Sequence, residues 1–305
     1  MKGFDNMMNI SREELLVKYE EYLKSLGKSQ QTIRSYKNAY NRFVRDTDFE
    51  LEDMVDINSL WCLDYMESLK CELSISTINK HMKQLSSFYQ FLNVCEYTKV
   101  NPFFRLPSLS NCDSEYKDKV MTNEQVKALL KASDTFEEED WRNGLRDKTM
   151  MYLLINTGVR IGELSRVRIE DIDLENNKLW VRGKGFRGNV SRYTNFNNIT
   201  KELIIQLIAK NPNREHLFIN YKNEQLNEQT IRKIWYKACE IANVEGFTPH
   251  SVRHYIGSSL VAKGVDLKKV AFALGHNSWK TSERYYIKPK DSMIDILDNI
   301  SNVFE

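Results

Sequence analysis

Apolar residues that return every three or four positions, each run preceded by a helix-capping residue, constrain the fold of this chain most. The segment Ser11-Arg-Glu-Glu14 is a capping box, in which a serine at the N-cap and a glutamate at N3 satisfy two backbone N–H groups. Apolar side chains follow at helical spacing as far as Leu26, and Gly27 suits the position past a helix end. Three more runs begin at possible caps, namely Ser29, Asn58 or Ser59, and Ser76. Four helices with short links predict a small α-helical bundle.

A polar stretch divides the chain into two parts. Asn101-Pro102 and Pro107 interrupt the helical pattern, and the residues that follow are mostly polar. A chain of 305 residues is long enough for two domains that each bury a core of their own. We therefore predict a domain over residues 9–105, a linker over 106–119 and a second domain over 120–305.

The second domain combines helices with a small sheet. Thr122-Asn-Glu-Gln125 is another capping box, and a methionine-containing helix should end at Thr157-Gly158. Residues 178–182 and 190–194 predict two strands around a glycine-rich turn. Further elements are a short strand at 217–219, helices at about 199–209 and 227–242, and a helix that begins at Pro249 with Thr248 as its cap. The predicted fold class is mainly α, with a small antiparallel sheet.

Composition excludes several classes of protein. Hydrophobic residues make up 41% of the chain and charged residues 28%, which is typical of a folded soluble protein. No apolar run approaches the roughly 20 residues of a membrane helix, and the N-terminus lacks the apolar core of a secretory signal, so we expect a cytoplasmic protein with no membrane partner. The 5 cysteines are widely spaced without a CxxC pair and are expected to be reduced. A net charge of +2 does not by itself indicate nucleic-acid binding, although a local basic surface could still provide it.

Two basic residues of the second domain have ordinary explanations when taken alone. Arg160 comes just after a helix end, where an arginine is usually a surface or capping charge, although its apolar flanks favour a buried anion partner. Lys184 sits between two glycines at the predicted hairpin turn. Most turn lysines are simply exposed, but flanking glycines allow the backbone to bring this one toward a ligand.

The stretch from residue 250 to residue 286 contains further candidate residues. His250 and Arg253 share one face of a helix, and a histidine and an arginine that converge at a helix start suit an oxyanion. His254 is expected to point elsewhere and to be structural. Later in the stretch come a histidine after a Leu-Gly pair and two adjacent tyrosines, namely His276, Tyr285 and Tyr286.

In this order, the candidate residues resemble the active-site set of the tyrosine recombinase (phage integrase) family. The most specific motifs are Thr157-Gly-Val-Arg160-Ile-Gly-Glu-Leu, His250-Ser-Val-Arg253-His and Leu274-Gly-His276-Asn-Ser. The resemblance covers nearly the whole chain: the first domain resembles the four-helix core-binding (SAM-like) domain of the family, and the second its catalytic domain. It implies a catalytic set of Arg160, Lys184, His250, Arg253, His276 and Tyr285, with Tyr286 as a rival nucleophile.

The resemblance also implies a chemistry. The tyrosine attacks a DNA phosphodiester and forms a 3′-phosphotyrosyl bond with release of a 5′-hydroxyl. The two arginines hold the nonbridging oxygens, because a planar guanidinium bonds such oxygens in pairs. His250 acts as acid or base, Lys184 protonates the leaving oxygen and His276 bonds the phosphate, while Glu163 is expected to hold the loop around Arg160. No metal or nucleotide cofactor is implied.

The partners implied by the resemblance are a double-stranded DNA recombination site and further protomers in a synaptic tetramer. The apolar segment 287–305 could be exchanged between protomers or pack as a core helix of its own chain. Arg34, Lys80 and Lys83 of the first domain lie off the apolar faces of their helices. They either form a solvated face or contact DNA phosphates.

The expected protein is an Xer-like or short-integrase recombinase, nucleoid-associated when bound to DNA, and the sequence leaves integration, excision, resolution and inversion open. The alternatives are a catalytically inactive DNA-binding protein on this fold and a type IB topoisomerase.

Overall fold

The computed structural model describes residues 10–110, 120–140, 142–183 and 191–275. The chain divides into two compact units, residues 1–116 and 117–305. Both units are mainly helical, and the second also carries a three-stranded antiparallel sheet. Within the described part of the chain, no helix is both long and apolar enough to cross a membrane.

The first unit is built from capped helices. Ser11, Ser29 and Asn58 each accept a backbone N–H of the following turn, as the capping patterns predict. The helices are α1 (Arg12–Ser25), α2 (Gln30–Thr47), α3 (Leu51–Asp56), α4 (Ser59–Ser68) and α5 (Ile75–Val94), with a short 3₁₀ turn at Leu69–Cys71.

Two details of this unit differ from the sequence-based prediction. Helix α5 is capped by Ser74 and not by Ser76, because Ser74 is extended and its hydroxyl accepts the N–H of Thr77. Helix α3 was not predicted at all. It is only 6 residues long, so its two buried side chains, Leu51 and Met54, cannot establish a helical period in the sequence.

Aromatic side chains from α2, α4 and α5 form the core of the first unit. Phe43 is completely buried and meets Trp61, Tyr65 and Tyr89 edge to face, with ring centroids 6.0, 5.6 and 6.4 Å away. One polar pair lies within this core: the Tyr65 hydroxyl is 3.1 Å from Nε2 of His81, and His81 is only 4% exposed.

The second unit contains both helices and a sheet. Its helices are α6 (Asn123–Asp134), α7 (Phe136–Glu139), α8 (Gly144–Thr157), α9 (Ile161–Leu164), α10 (Asn198–Lys210), α11 (Glu228–Ile241), α12 (Pro249–Ala262) and α13 (Leu267–Leu274). The strands β1 (Ile172–Asp173), β2 (Lys178–Val181) and β3 (Arg192–Asn195) pair antiparallel in the order β1-β2-β3. The predicted strand at 217–219 is wrong. Within this segment only Ile219 forms an isolated bridge, with Gln225, and the preceding residue His216 forms another with Arg168.

Helix α8 lies at the centre of the second unit and brings the chain to Arg160. Its side chains Met150, Leu153 and Leu154 are at most 1% exposed, and it packs against α6, α7, α10 and α12. Its first residue must be glycine, because a Cβ at Gly144 would stand 2.1 Å from the carbonyl oxygen of Phe136. The helix ends at Gly158, whose φ of 60° is the left-handed conformation that favours glycine. The chain therefore turns sharply just before Arg160.

The buried histidine makes the stability of the protein depend on pH. The pKa of His81 is lowered to about 4, mainly by burial and also by the charge of Arg42, while the charge of Asp46 opposes this shift. The unfolded imidazole binds a proton near pH 6.5, so the contribution of neutral His81 is complete above that pH and is lost as the pH falls toward 4. We expect urea unfolding of the full chain to lose about 2 kcal/mol between pH 7 and pH 5 from this residue alone.

The variant His81→Gln provides the comparison, because glutamine keeps a polar group beside Tyr65 but does not titrate. As the pH is lowered from 7 to 5, the free energy of unfolding of the variant should fall less steeply than that of the wild type. Equal slopes for the two proteins would contradict a buried neutral histidine.

Candidate active site

Arg160 is held in place by a glutamate three residues further along the chain. It precedes the short helix α9, and its backbone N–H donates to Oε2 of Glu163 at 2.8 Å. Its side chain donates from Nη1 to Oε1 of the same carboxylate at 3.1 Å. The Arg160 side chain remains 29% exposed, whereas that of Glu163 is 2% exposed. Glu163 thus holds the loop around Arg160, as the sequence analysis predicted.

His250 and Arg253 lie in the first turns of α12, which begins at Pro249 after the N-cap Thr248. Arg253 is 1% exposed. Its Nη1 donates to the carbonyl of Gly158 at 3.0 Å, and its Nη2 donates to the carbonyl of Leu274. Arg253 therefore joins the end of α8 to the end of α13, and its guanidinium is buried.

Arg160 and His250 line the same cavity, which we call the Arg160 cavity, with a volume of about 460 Å³. Helix α11 contributes Glu228, Arg232 and Tyr236 to its wall, and Arg166 also lines it. Three arginines face two glutamates there, beside His250, so the described wall holds more cationic than anionic side chains. Such a wall suits an anion with several oxygen atoms.

The imidazole of His250 is neutral at physiological pH. Although part of the side chain is exposed, desolvation by the surrounding protein lowers its pKa to about 4, and electrostatic interactions with His254, Arg253 and Arg160 add to this effect. The rings of His250 and His254 lie 4.8 Å apart and nearly perpendicular. The prediction that His254 points elsewhere is therefore wrong: one helical turn brings both rings to the same side of α12.

A buried ion pair lies beneath Arg160. Arg192 of β3 donates from Nη1 and Nη2 to the two carboxylate oxygens of Glu163, at 3.2 and 3.1 Å, and both side chains are at most 2% exposed. Burial acts to raise the pKa of the Glu163 carboxyl, but the hydrogen bonds and charge of Arg192, together with those of Arg160, hold this pKa below its ordinary value. Glu163 is consequently an anion bonded to two arginines.

Arg160, Arg192 and Arg253 converge on the last carbonyls of helix α13. Arg192 donates from Nε to the carbonyl of Ala273 at 2.8 Å, and Arg160 donates from Nη2 to that of Gly275 at 3.2 Å. Arg253 donates to the carbonyl between them. A helix end leaves its final carbonyls without helical partners and carries partial negative charge, so cations stabilise it. We call Arg160, Arg192 and Arg253 the arginine cluster.

Of the six predicted catalytic residues, the structure brings together three, Arg160, His250 and Arg253. Lys184, His276 and Tyr285 lie outside the described residues, as do Tyr286 and segment 287–305. Across the described ranges, no three His, Cys, Asp or Glu side chains are grouped so as to hold a metal ion.

Several residues of the site were missed in the sequence. Arg166, Arg232 and Tyr236 lie on the Arg160 cavity, and Arg192 lies beneath it. For Arg192 a signal did exist. Arg192 falls within a predicted strand, and in the structure it pairs with Val181, which is 3% exposed, so both side chains share the buried face. The sequence alone did not say which face of the strand is buried.

Comparison with known proteins identifies the family. Residues 119–292 match the model of the phage integrase family, and residues 16–94 match the phage integrase N-terminal SAM-like domain. The chain therefore belongs to the phage integrase family, and it is a tyrosine recombinase, an enzyme of site-specific DNA recombination.

Individual relatives refine this placement. The chain is 28% identical to the tyrosine recombinase XerC of Staphylococcus carnosus (strain TM300) over 268 residues, which cover 84% of this chain and 86% of that protein. XerC of Staphylococcus aureus (strain NCTC 8325) is 27% identical over 266 residues, with the same coverage of both chains.

Solved structures share the fold at lower sequence identity. The XerH recombinase bound to a palindromic difH substrate has a TM-score of 0.73 and 19% identity, with 92% of this chain and 82% of that chain covered. A lambda integrase dimer bound to a COC′ core site has a TM-score of 0.68 and 18% identity, with 91% and 77% covered.

The buried carboxylate should be critical for stability. We expect Glu163→Gln to lower the free energy of unfolding by roughly 3 kcal/mol, because two arginines would lose their shared counter-ion inside the protein. Urea denaturation of the full chain would measure this change.

Glu139→Gln is the matched control, because Glu139 forms an ion pair with Lys237 at 2.6 Å in which both side chains are nearly half exposed. Solvent screens such a pair, so its loss should change stability little. Equal effects of the two substitutions would contradict the role assigned to Glu163.

Proposed function

We propose that this recombinase cleaves and rejoins duplex DNA at a specific site through a 3′-phosphotyrosyl intermediate. The observation that carries the proposal is the placement of Arg160 and His250 on one cation-rich cavity, with Arg253 directly beneath. A DNA phosphodiester is an anion of the size and chemistry that such a cavity binds.

Arg160 is the candidate for the first contact with the phosphate, because its guanidinium is partly exposed and already oriented by Glu163. Arg253 is buried, but its charge lowers the pKa of His250, so its electric field reaches the cavity. Both arginines would stabilise the negative charge that develops on the nonbridging oxygens in the transition state. Removal of one preorganised donor of this kind typically raises the barrier by about 3 kcal/mol.

The covalent step uses residues on both sides of the phosphate. The phenol oxygen of Tyr285 attacks phosphorus, and the bond from phosphorus to the 5′-oxygen breaks. A tyrosine with a pKa near 10 must lose its proton to react, and neutral His250 can accept that proton. Lys184 gives a proton to the departing 5′-oxygen, and His276 donates a hydrogen bond to the phosphate. Attack by a 5′-hydroxyl on the phosphotyrosine reverses the sequence and rejoins the strand.

The proposed partners are a double-stranded DNA recombination site and further protomers. XerH and lambda integrase were solved bound to difH and to a COC′ core site, the latter as a dimer. By analogy, this chain would act in a synaptic tetramer in the cytoplasm, at the nucleoid, with residues 287–305 exchanged between protomers. Its biological task would be integration or excision of a mobile element, or Xer-type resolution.

We also propose the division of the chain into a DNA-binding domain (9–105), a linker (106–119) and a catalytic domain (120–305). Arg34 on α2 and Lys80 and Lys83 on α5 are exposed. Lys80 and Lys83 are three positions apart and so lie on one face of their helix, which suits contact with neighbouring phosphates.

The first experiment tests the nucleophile. Nicked suicide duplexes tiled across the DNA that flanks the gene would be incubated with wild type, Tyr285→Phe and Tyr286→Phe, and covalent complexes would be resolved on denaturing gels. We expect wild type and Tyr286→Phe to become linked to DNA and Tyr285→Phe to lose the link entirely, because phenylalanine has no nucleophile.

Each other outcome has a distinct meaning. Covalent complexes with Tyr285→Phe but not with Tyr286→Phe would move the nucleophile to Tyr286. Specific binding without any wild-type complex would favour an inactive DNA-binding protein. Relaxation of a supercoiled plasmid that lacks the target site would favour a topoisomerase.

The second experiment tests the depressed pKa of His250. The pH dependence of kcat/KM reports the pKa values of the free enzyme, and a base with a pKa of about 4 is neutral throughout the range from pH 8 to pH 5. We therefore expect the cleavage rate at subsaturating DNA to show no loss from this group above pH 5. A histidine with an ordinary pKa near 6.5 would lower the cleavage rate about fivefold between pH 6.5 and pH 5.5.

Circular dichroism at each pH would confirm that the protein stays folded. A loss of cleavage with an apparent pKa near 6.5, present in wild type and absent in His254→Gln, would assign that titration to His254 instead. The same loss in both proteins would contradict a depressed pKa of His250.

A further inference from the structure

Arg192 is the member of the arginine cluster to which the proposed reaction assigns no role. It lies on β3 and is 2% exposed, with its Cα opposite that of Val181 on the buried face of the sheet. Burial of an arginine costs free energy unless its charge and donors are satisfied. The side chain must therefore be held by specific partners.

Its partners belong to two different parts of the second unit. Two guanidinium nitrogens donate to both carboxylate oxygens of Glu163, and the third donates to the carbonyl of Ala273. One rigid planar group thus ties the loop after α8 to the last turn of α13. A lysine could not reproduce this arrangement, because its single ammonium lacks the fork that bonds a carboxylate with two parallel hydrogen bonds.

Both candidate phosphate-binding arginines are anchored to these same two parts. Arg160 bonds Glu163 on one side and the carbonyl of Gly275 on the other. Arg253 bonds the carbonyl of Gly158, at the end of α8, and that of Leu274 in the same turn of α13. A shift of Glu163 or of that turn would therefore move the guanidiniums that the proposed reaction requires.

Steric contact adds a second constraint. Gly275 has a φ of 64°, and a Cβ there would stand 2.6 Å from Nη1 of Arg192 and 2.9 Å from its Cζ. The Arg192 guanidinium is therefore packed directly against the backbone that bonds Arg160, as well as hydrogen-bonded next to it. Loss of its volume would leave space into which this helix end could move.

We infer that Arg192 is a positioning residue for DNA cleavage, which sets the distance and orientation of Arg160 and Arg253 by joining Glu163 to the end of α13. This inference rests on the proposed function, because it assigns the two arginines to the scissile phosphate. Arg192 itself does not touch the DNA, since its side chain is 1% exposed.

The test compares Arg192→Met and Arg192→Lys with a matched control, Arg146→Met. Arg146 is 13% exposed, bonds the carboxylate of Asp147 at 2.7 Å and donates to the carbonyl of Ile219 at 3.1 Å. It thus combines the same kinds of partner as Arg192, but it lies near the start of α8, whereas Arg160 follows the end of that helix. Each full-length variant would be assayed below its measured unfolding temperature.

The primary readout is the single-turnover rate of cleavage of a nicked suicide duplex at saturating protein, with DNA affinity measured separately. We expect Arg192→Met to slow cleavage by about tenfold to a hundredfold, the cost of a misplacement on the order of 1 Å. The dissociation constant should change less than about threefold, because Arg192 is not a phosphate contact. Arg192→Lys should be intermediate, and Arg146→Met should cleave at the wild-type rate.

A modified substrate separates positioning from general weakening of the fold. A methylphosphonate at the cleavage position replaces one charged nonbridging oxygen with a methyl group, so the arginines have less charge to stabilise. The factor by which Arg192→Met cleaves more slowly than wild type should then become about tenfold smaller. An equal deficit on both linkages, or an equal loss of rate in Arg146→Met, would overturn the inference.

A measurement without DNA keeps this inference separate from the proposed reaction. Nitrogen-15 spectra of the guanidinium groups, assigned through Arg160→Lys and Arg253→Lys, should show shifted Arg160 and Arg253 signals in Arg192→Lys and unshifted ones in Arg146→Met. Unshifted signals in Arg192→Lys would overturn the inference even if cleavage is observed. Absence of any covalent complex with wild type would overturn the proposed function, while the spectra would still decide whether Arg192 positions the two arginines.

Discussion

The buried carboxylate of Glu163 is the interaction on which the candidate site depends. It accepts hydrogen bonds from the backbone and side chain of Arg160 and two more from Arg192. Transfer of a carboxylate and an arginine from water into protein is costly, and only hydrogen bonds of good geometry on every side offset that cost. A site built on such a pair has little freedom to rearrange, which is what preorganised catalysis of phosphoryl transfer requires.

The end of α13 is the second constraint, and it depends on the first. Arginines from residues 160, 192 and 253 reach three successive carbonyls there, so elements far apart in the chain are held at one point. The favourable interaction of cations with a helix C-terminus contributes to this assembly. The guanidiniums of Arg160 and Arg253 are also assigned to the phosphate in the proposed reaction. The same hydrogen-bond donors would therefore stabilise the fold and bind the phosphate. Residues used in both ways are where fold and function are expected to conflict.

Local sequence rules predicted most of the helices. Capping boxes at Ser11 and Thr122 and the glycine at 158 mark helix ends because the groups involved lie within a few residues of each other. The same rules failed where the local signal was ambiguous or short. Ser74 and Ser76 are both acceptable caps, and α3 is too short to show a period. The segment at 217–219 has the composition of a strand, but its partners provide only single bridges.

The sequence by itself determined the family, the helical character and the chemical types of the candidate residues, because motifs and caps depend on neighbours along the chain. Only the tertiary structure decided that Arg253 is buried and that Arg192 shares Glu163 with Arg160. These facts depend on contacts between residues separated by up to about a hundred positions, which no local pattern encodes. The depressed pKa of His250 has the same origin, since desolvation by the surrounding protein lowers it and the charges of Arg253 and Arg160 add to that effect.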